Sequence, residues 1–279
     1  MRDIKLIALD LDGTLLDSEK RLSEDNAREL ERAAKAGIEI VPATGRFYRG
    51  MPEIIRSLPY VHYVITINGA QVWDVRGQRT ICGAEIPWER ATEIMEYLDT
   101  LPVIYDCYMD GWGWMTQALY DKAEDFAANR HSLDMILNLR TPVPELKAYL
   151  AEKKHGVQKV QAFFKDMELR GREIPVLQER FPDTAVTTSI VNNVEINSLQ
   201  ATKGNAIRQL AAALGMDLSQ TMTFGDDLND VAMLTAAGIG VAMGNSKPEV
   251  KQAADTVTDD CDHSGVAKAI RRLVWEEAE

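Results

Sequence analysis

Apolar residues recur along the chain in two rhythms, one of short continuous runs and one of three-to-four-residue spacing. Residues 5–9 (Lys-Leu-Ile-Ala-Leu) form an apolar run that stops at Asp10, the pattern of a buried parallel strand. A helix is expected behind Ser23 as N-cap, with Ala27, Leu30 and Ala34 on one face and Gly37 at its end. Residues 38–43 and 61–67 read as further strands, stopping before Thr44-Gly45-Arg46 and at Asn68-Gly69. The last third repeats this grammar. A helix is expected from Lys203 to Leu214, a strand from Thr221 to Phe224 and a helix from Asn229 to Ala237. Strands at 238–242 and 256–258 and a closing helix near Val266–Trp275 complete it. Strands alternating with helices predict an α/β layer fold around a parallel sheet.

The middle of the chain breaks the alternation. Helical stretches (88–98, 145–154, 169–181) mix there with strand-like pieces (157–164, 184–190), and an aromatic patch, Trp112-Gly113-Trp114, follows Asp110-Gly111. Those glycines suggest a mobile turn able to place an indole over a substrate, and burial of both indoles in a core is the competing expectation. The layout predicts a module at 84–190 inserted into an α/β domain made from 1–83 and 191–279.

Each apolar run in the outer segments delivers polar residues at its carboxyl end, where open α/β sheets place ligands. Asp10 and Asp12 follow the first. Close carboxylates repel and need a cation or a shared proton, although an acidic turn would read the same way. Thr44-Gly45-Arg46 offers a hydroxyl, a backbone N–H and a cation, either an anion cradle or an ordinary turn. Lys203 opens a helix, facing an anion or solvent. Gly225-Asp226-Asp227-Leu228-Asn229-Asp230 packs oxygen donors that suit Mg²⁺ or cap a helix. Gly238-Ile239-Gly240 followed by Gly244 misses the dinucleotide-binding spacing.

Taken in order, Asp10-x-Asp12-Gly13-Thr14, Thr44, Lys203 and Gly225-Asp226-x-x-Asn229-Asp230 resemble the haloacid dehalogenase (HAD) superfamily. Asn68-Gly69-Ala70, the long insert and Val241-Ala242-Met243-Gly244-Asn245 resemble its Cof-type (IIB) sugar-phosphatase branch. The resemblance implies a Rossmann-like parallel-sheet core with an inserted α+β type II cap. It also implies a Mg²⁺-dependent phosphatase acting on a small phosphorylated metabolite, a sugar phosphate by branch, through an aspartyl-phosphate. In that scheme Asp10 is the nucleophile and Asp12 the general acid and base. Asp10, the Asp12 carbonyl and Asp226 hold the metal. Thr44, Gly45, Lys203 and Asn229 bind the phosphoryl group, and Asp230 orients Lys203 or metal-bound water. A phosphomutase or phosphotransferase on the same scaffold, and a phospho-ligand-binding regulator without turnover, are the alternatives.

Composition narrows the setting. The 46% hydrophobic and 27% charged residues sit near the globular average, and no stretch approaches the roughly 18 apolar residues of a membrane span. Lys and Arg number 31 against 43 Asp and Glu, a formal net charge of −12, which argues against nucleic-acid and acidic-membrane partners. Three cysteines, Cys82, Cys107 and Cys261, lack zinc spacing and make an odd number for disulfides. The start, Met1-Arg2-Asp3-Ile4-Lys5, does not read as a signal peptide, so a cytoplasmic location is expected. Oligomeric state is not written in the sequence.

Overall fold

The computed structural model describes residues 3–276; Met1 and Arg2 of the N-terminal reading, and residues 277–279, lie outside them. The chain forms two compact units, one built from the segments up to Gly83 and from Gln200 onward, the other from Ala84–Leu199. The first segment carries β1 (Leu6–Leu9), β2 (Glu39–Pro42), β3 (Tyr63–Thr66), β4 (Gln71–Asp74) and β5 (Arg79–Gly83). The middle carries β6 (Val103–Met109), β7 (Trp112–Thr116), β8 (Arg140–Val143), β9 (Lys159–Phe164), β10 (Thr184–Thr187) and β11 (Asn193–Ser198). The last segment carries β12 (Thr221–Gly225), β13 (Ile239–Ala242) and β14 (Thr256–Val257).

In the first unit five strands pair in parallel in the order β14-β13-β12-β1-β2. Over β1, β12 and β13 both faces of this sheet are buried, which is why β1 and β13 are apolar throughout, while β12 alternates buried threonines with Met222 and Phe224. Ile7 and Leu9 join one hydrophobic cluster with Ile40, Met222, Phe224 and Val241. Leu6 and Ala8 join another with Val41, Ile207, Leu210 and Met233. The helix Glu24–Lys35 starts as expected, with the Ser23 hydroxyl accepting from the Asn26 N–H, and Gly37 follows it at φ +86°. The helix Lys203–Ala213 is capped by Thr202. A Cβ at Gly204 would come within 2.1 Å of the Ala232 carbonyl oxygen, so this helix lies directly on the neighbouring Val231–Ala236.

Two expectations about the sheets need correction. The strand expected at 61–67 is β3, and it belongs to a small antiparallel sheet β3-β4-β5, touching the parallel sheet through one bridge, Ala43 to Ile65. The strand that the 191–279 boundary assigned to the core is β11, and it lies between β9 and β10 of the second unit. Val194 and Ile196 are buried in that unit's cluster, so the chain returns to the first unit only at Gln200, nine residues later.

The second unit is a six-stranded sheet in the order β10-β11-β9-β6-β7-β8, antiparallel except for β7 with β8. The helices Trp88–Leu98, Leu146–Lys153 and Met167–Arg180 supply Ile94, Leu98, Leu146, Leu150 and Leu177 to one face. Trp112 and Trp114 lie on β7 itself rather than in the expected mobile turn; the turn is confined to Asp110-Gly111, with both residues at positive φ. The Trp114 indole packs on Tyr149 with ring centres 4.8 Å apart and donates to the Met109 carbonyl; Trp112 donates to the Thr141 hydroxyl.

Candidate active site

Parallel pairing sets Leu9 beside Pro42 and Phe224, and Gly225 beside Ala242. The polar groups that follow these positions therefore emerge together at one edge of the first unit's sheet. Asp10 continues β1 and donates its N–H to the Phe224 carbonyl. The chain then turns at Gly13, whose φ of +91° disfavours an L side chain and whose absent Cβ would meet an Asp226 carboxylate oxygen at 2.6 Å.

Lys203 is fully buried between two acids, donating to Asp10 Oδ1 at 2.5 Å and to Asp230 Oδ1 at 2.6 Å. Burial works to lower its hold on the proton, but Asp10 and Asp230 outweigh burial and keep the ammonium well above the usual lysine range. Asp230 spends its other oxygen on the backbone, accepting from the N–H groups of Asp226 and Asp227 at 3.0 and 3.1 Å. It orients Lys203 and shapes the loop at once.

Oxygens of Asp10, Asp226 and Asp230 all lie within 4.8 Å of one another. Asp226 accepts from the Thr14 hydroxyl at 2.8 Å and, at 3.4 Å, from the Asn245 amide, which also donates to the Gly13 carbonyl. Neither donor carries charge. Burial, against the Thr14 hydrogen bond and with Asp230 and Asp227 adding repulsion, raises the Asp226 carboxyl. Burial also lifts Asp10 to about 7, Lys203 pulling down and Asp230 and Asp226 pushing up. Three acids, Asp10 and Asp230 buried and Asp226 half-buried, against one lysine leave an uncompensated negative charge, and oxygen-only donors suit a hard divalent cation. Because both Asp230 oxygens already accept N–H hydrogen bonds, Asp10 and Asp226 are the better donors.

Asp12 faces different partners. Arg46 forks onto it, Nε and Nη2 both within 3.1 Å, and Lys20 Nζ lies 2.9 Å from Oδ1. Burial works to raise this carboxyl, and the two cations outweigh burial and hold it below the usual range. The cation expected in the Thr44-Gly45-Arg46 cradle is thus turned to Asp12. Thr44 is buried at the end of β2, its hydroxyl accepting from the Arg46 N–H, which leaves the hydroxyl proton to donate. A Cβ on Gly45 would lie 3.1 Å from Asn68 Oδ1, the same oxygen that accepts from the Asn229 amide. Asn68 holds φ +56°, a conformation asparagine tolerates. Asp227 caps its own short turn, accepting from Leu228 N–H, and pairs with Lys247.

The structure therefore joins Asp10, Lys203, Asp226 and Asp230 into one cluster, and groups Gly45 and Asn229 through Asn68. Sequence reasoning did not supply Arg46 and Lys20 as partners of Asp12, or Thr14 and Asn245 as partners of Asp226. Thr14 and Asn245 stood within the quoted motifs, whereas Lys20 sits at φ +63° in a turn that no pattern marks.

A phosphate-handling hydrolase is the class that this sheet edge defines, and comparison with known proteins agrees. A family model of haloacid dehalogenase-like hydrolases matches residues 7–270, so the chain belongs to that family. The phosphatase YwpJ of Bacillus subtilis is 32% identical over 97% of this chain and all of its own length. The 5-amino-6-(5-phospho-D-ribitylamino)uracil phosphatase YcsE of the same organism is 30% identical over 98% of this chain and 96% of its own. A crystal structure from Thermotoga maritima superposes with a TM-score of 0.82 at 28% identity, covering 99% of this chain and 98% of its own. The subclass IIB sugar phosphatase BT4131 gives 0.76 at 25%, covering 97% and 99%. This chain is accordingly an enzyme of the phosphatase kind, a parallel-sheet core with a separate cap of largely antiparallel strands.

Proposed function

We propose that the protein hydrolyses a small phosphorylated metabolite through an aspartyl-phosphate on Asp10, with Mg²⁺ held by Asp10, the Asp12 carbonyl and Asp226. The observation that carries this reading is the cluster at the sheet edge, in which the buried Lys203 compensates only part of the charge of Asp10, Asp226 and Asp230. Bound there, Mg²⁺ would neutralise charge on Asp10 and on the phosphoryl oxygens as they approach each other. Lys203 keeps Asp10 ionised and aimed, and Asp230 keeps Lys203 in place. An Asp10 oxygen attacks phosphorus, the bond to the leaving oxygen breaks, and a second displacement by water frees the carboxylate. Thr44, the Gly45 N–H, Lys203 and Asn229 supply donors to the equatorial oxygens.

Asp12 serves both halves. Ionised by Lys20 and Arg46, it is ready to take the proton of the attacking water. An anionic phosphoryl group nearby disfavours that charge and lifts the carboxyl toward the protonated form that delivers a proton to the leaving oxygen. The names of two of the similar proteins, one for a 5-amino-6-(5-phospho-D-ribitylamino)uracil phosphatase and one for a sugar phosphatase, support a small metabolite. A cytoplasmic setting fits the free thiols of Cys82, Cys107 and Cys261; among the described residues no helix is long and apolar enough to cross a membrane. Phosphate release over a panel of phosphorylated metabolites tests the reading. Activity should vanish in chelator and return with Mg²⁺, and Asp226→Ala should raise the Mg²⁺ requirement or abolish turnover. Full turnover in chelator contradicts it.

A further inference from the structure

The motif Asn68-Gly69-Ala70 joins β3 to β4 within the first unit. Asn68 and Gly69, at φ +56° and +101°, form the centre of a tight turn closed by the Ala70 N–H on the Ile67 carbonyl. Asn-Gly is the pair that left-handed hairpin turns favour, so these two angles cost little. Ile67 is different. It stands at φ +52°, where a side chain branched at Cβ is an outlier, and it is fully buried. Strain of that kind persists only where the surroundings enforce it, and it collects at functional sites.

The loop after β2 enforces it. The Ile67 N–H donates to the Arg46 carbonyl and the Asn68 N–H to the Thr44 carbonyl, both at 3.0 Å. Two successive donors thus grip the carbonyls on either side of Gly45. The Asn68 side chain extends the same hold: Oδ1 lies 3.1 Å from where a Gly45 Cβ would be and accepts from the Asn229 amide at 3.1 Å. Asn229 is exposed, and among the described residues this is the one hydrogen bond its side chain makes. On the other side, a Cβ at Gly69 would come within 2.2 Å of the Thr202 carbonyl oxygen, so the turn lies directly on the residue that caps the Lys203 helix.

We infer that the turn Ile67–Gly69 sets the register of the phosphoryl-binding groups, and that Asn68 is a positioning residue that fixes Asn229 and Gly45 relative to Lys203 without touching the substrate. The inference rests on the reading of Gly45, Lys203 and Asn229 as phosphoryl ligands. Three segments far apart in the sequence, at 44–46, 202–203 and 229, meet on this one turn. An exposed asparagine on its own samples several rotamers, and the bond to Asn68 removes that freedom before the substrate arrives.

The test is a double-mutant cycle in the whole chain with Mg²⁺ and acetyl phosphate, using Asn68→Gly, Asn229→Ala and the two combined. Glycine takes the left-handed conformation without steric cost, so Asn68→Gly should melt close to the unmodified protein. Each single variant should lower kcat about tenfold, the scale of one hydrogen bond to a charged group. The combined variant should be no slower than Asn229→Ala by more than about twofold, because Asn68 acts through Asn229. A residue that only supports the fold would give losses that multiply. Asn68→Asp keeps both the acceptor and the left-handed angle, and it secures the test against misfolding of the glycine variant. It should hold kcat near the unmodified value while raising KM, since its carboxylate stands beside the site of an anion. Multiplying losses, an unchanged kcat in folded Asn68→Gly when Asn229→Ala is slow, or a kcat in Asn68→Asp as low as in Asn229→Ala would each overturn the inference. An unchanged kcat in Asn229→Ala would instead strike the reading of Asn229 beneath it, and the inference with it.

Discussion

Asp10→Asn keeps the shape of the side chain and an acceptor for Lys203 while removing one charge, and it should make the metal-free protein more stable at neutral pH. Burial, opposed by Lys203 and assisted by Asp230 and Asp226, raises this carboxyl from 3.8 to about 7. An acid whose folded-state pKa lies above its unfolded value holds its proton more tightly when folded, so keeping it ionised destabilises the fold. That cost is fully present above pH 7, shrinks as pH falls through 7, and is gone below the unfolded value near 4. At about 1.4 kcal/mol per unit, the shift bounds the gain on removing the charge at about 4 kcal/mol. Asparagine is an imperfect copy of a protonated carboxyl, so a gain of about 1–3 kcal/mol is expected, roughly 3–10 °C in Tm for a unit of this size. Thermal melts of both proteins in chelator, from pH 8 to pH 4, should show a gap that is wide at pH 8 and closes toward pH 4. Added Mg²⁺ should narrow the gap, since only the native carboxylate gains a ligand. A variant less stable at pH 8, or a gap indifferent to pH, would refute the reasoning.

Three further outcomes follow from named contacts. Lys20→Met removes a cation 2.9 Å from Asp12 Oδ1; the Asp12 carboxyl should rise, moving the acid limb of the kcat/KM profile to higher pH, and an unmoved limb would count against Asp12 as the proton carrier. Thr14→Val takes the hydroxyl donor from Asp226, and the Mg²⁺ concentration for half activation should climb about tenfold or more, as for other supporting partners of metal ligands. Gly113→Ala puts a methyl against the Leu139 carbonyl and the Arg140 stem; denaturant unfolding should show a loss of about 1–3 kcal/mol, the usual cost of overpacking.

Much of the first unit was legible because the central strands of its parallel sheet are buried on both faces and so read as short, largely apolar runs that end at the chemistry. Asp10 after Leu9, Thr44 beyond Pro42 and Asp226 after Gly225 are each one or two residues past such a run, and Lys203 opens a helix with a Thr202 cap. What escaped was set by long-range pairing. Nothing local says that β3 turns back on β4, or that Asn193–Ser198 pairs with β9 instead of returning to the parallel sheet. Arg46 offered a cation whose target, Asp12, lies 34 residues away. The two tryptophans looked like a loop because their neighbours are glycines, yet the Gly113 position follows from the path of Arg140, 27 positions on and on the adjacent strand. A glycine kept for another residue's side chain leaves no signature in its own segment.

The central claim is that Asp10 carries the phosphoryl group. Rapid acid quench during turnover of acetyl phosphate with Mg²⁺, followed by peptide mass spectrometry, should find one phosphoryl group on the peptide containing Asp10, and neither that adduct nor turnover in folded Asp10→Asn. A phosphoryl group on another side chain, or near-normal phosphate release by that variant, would contradict the account.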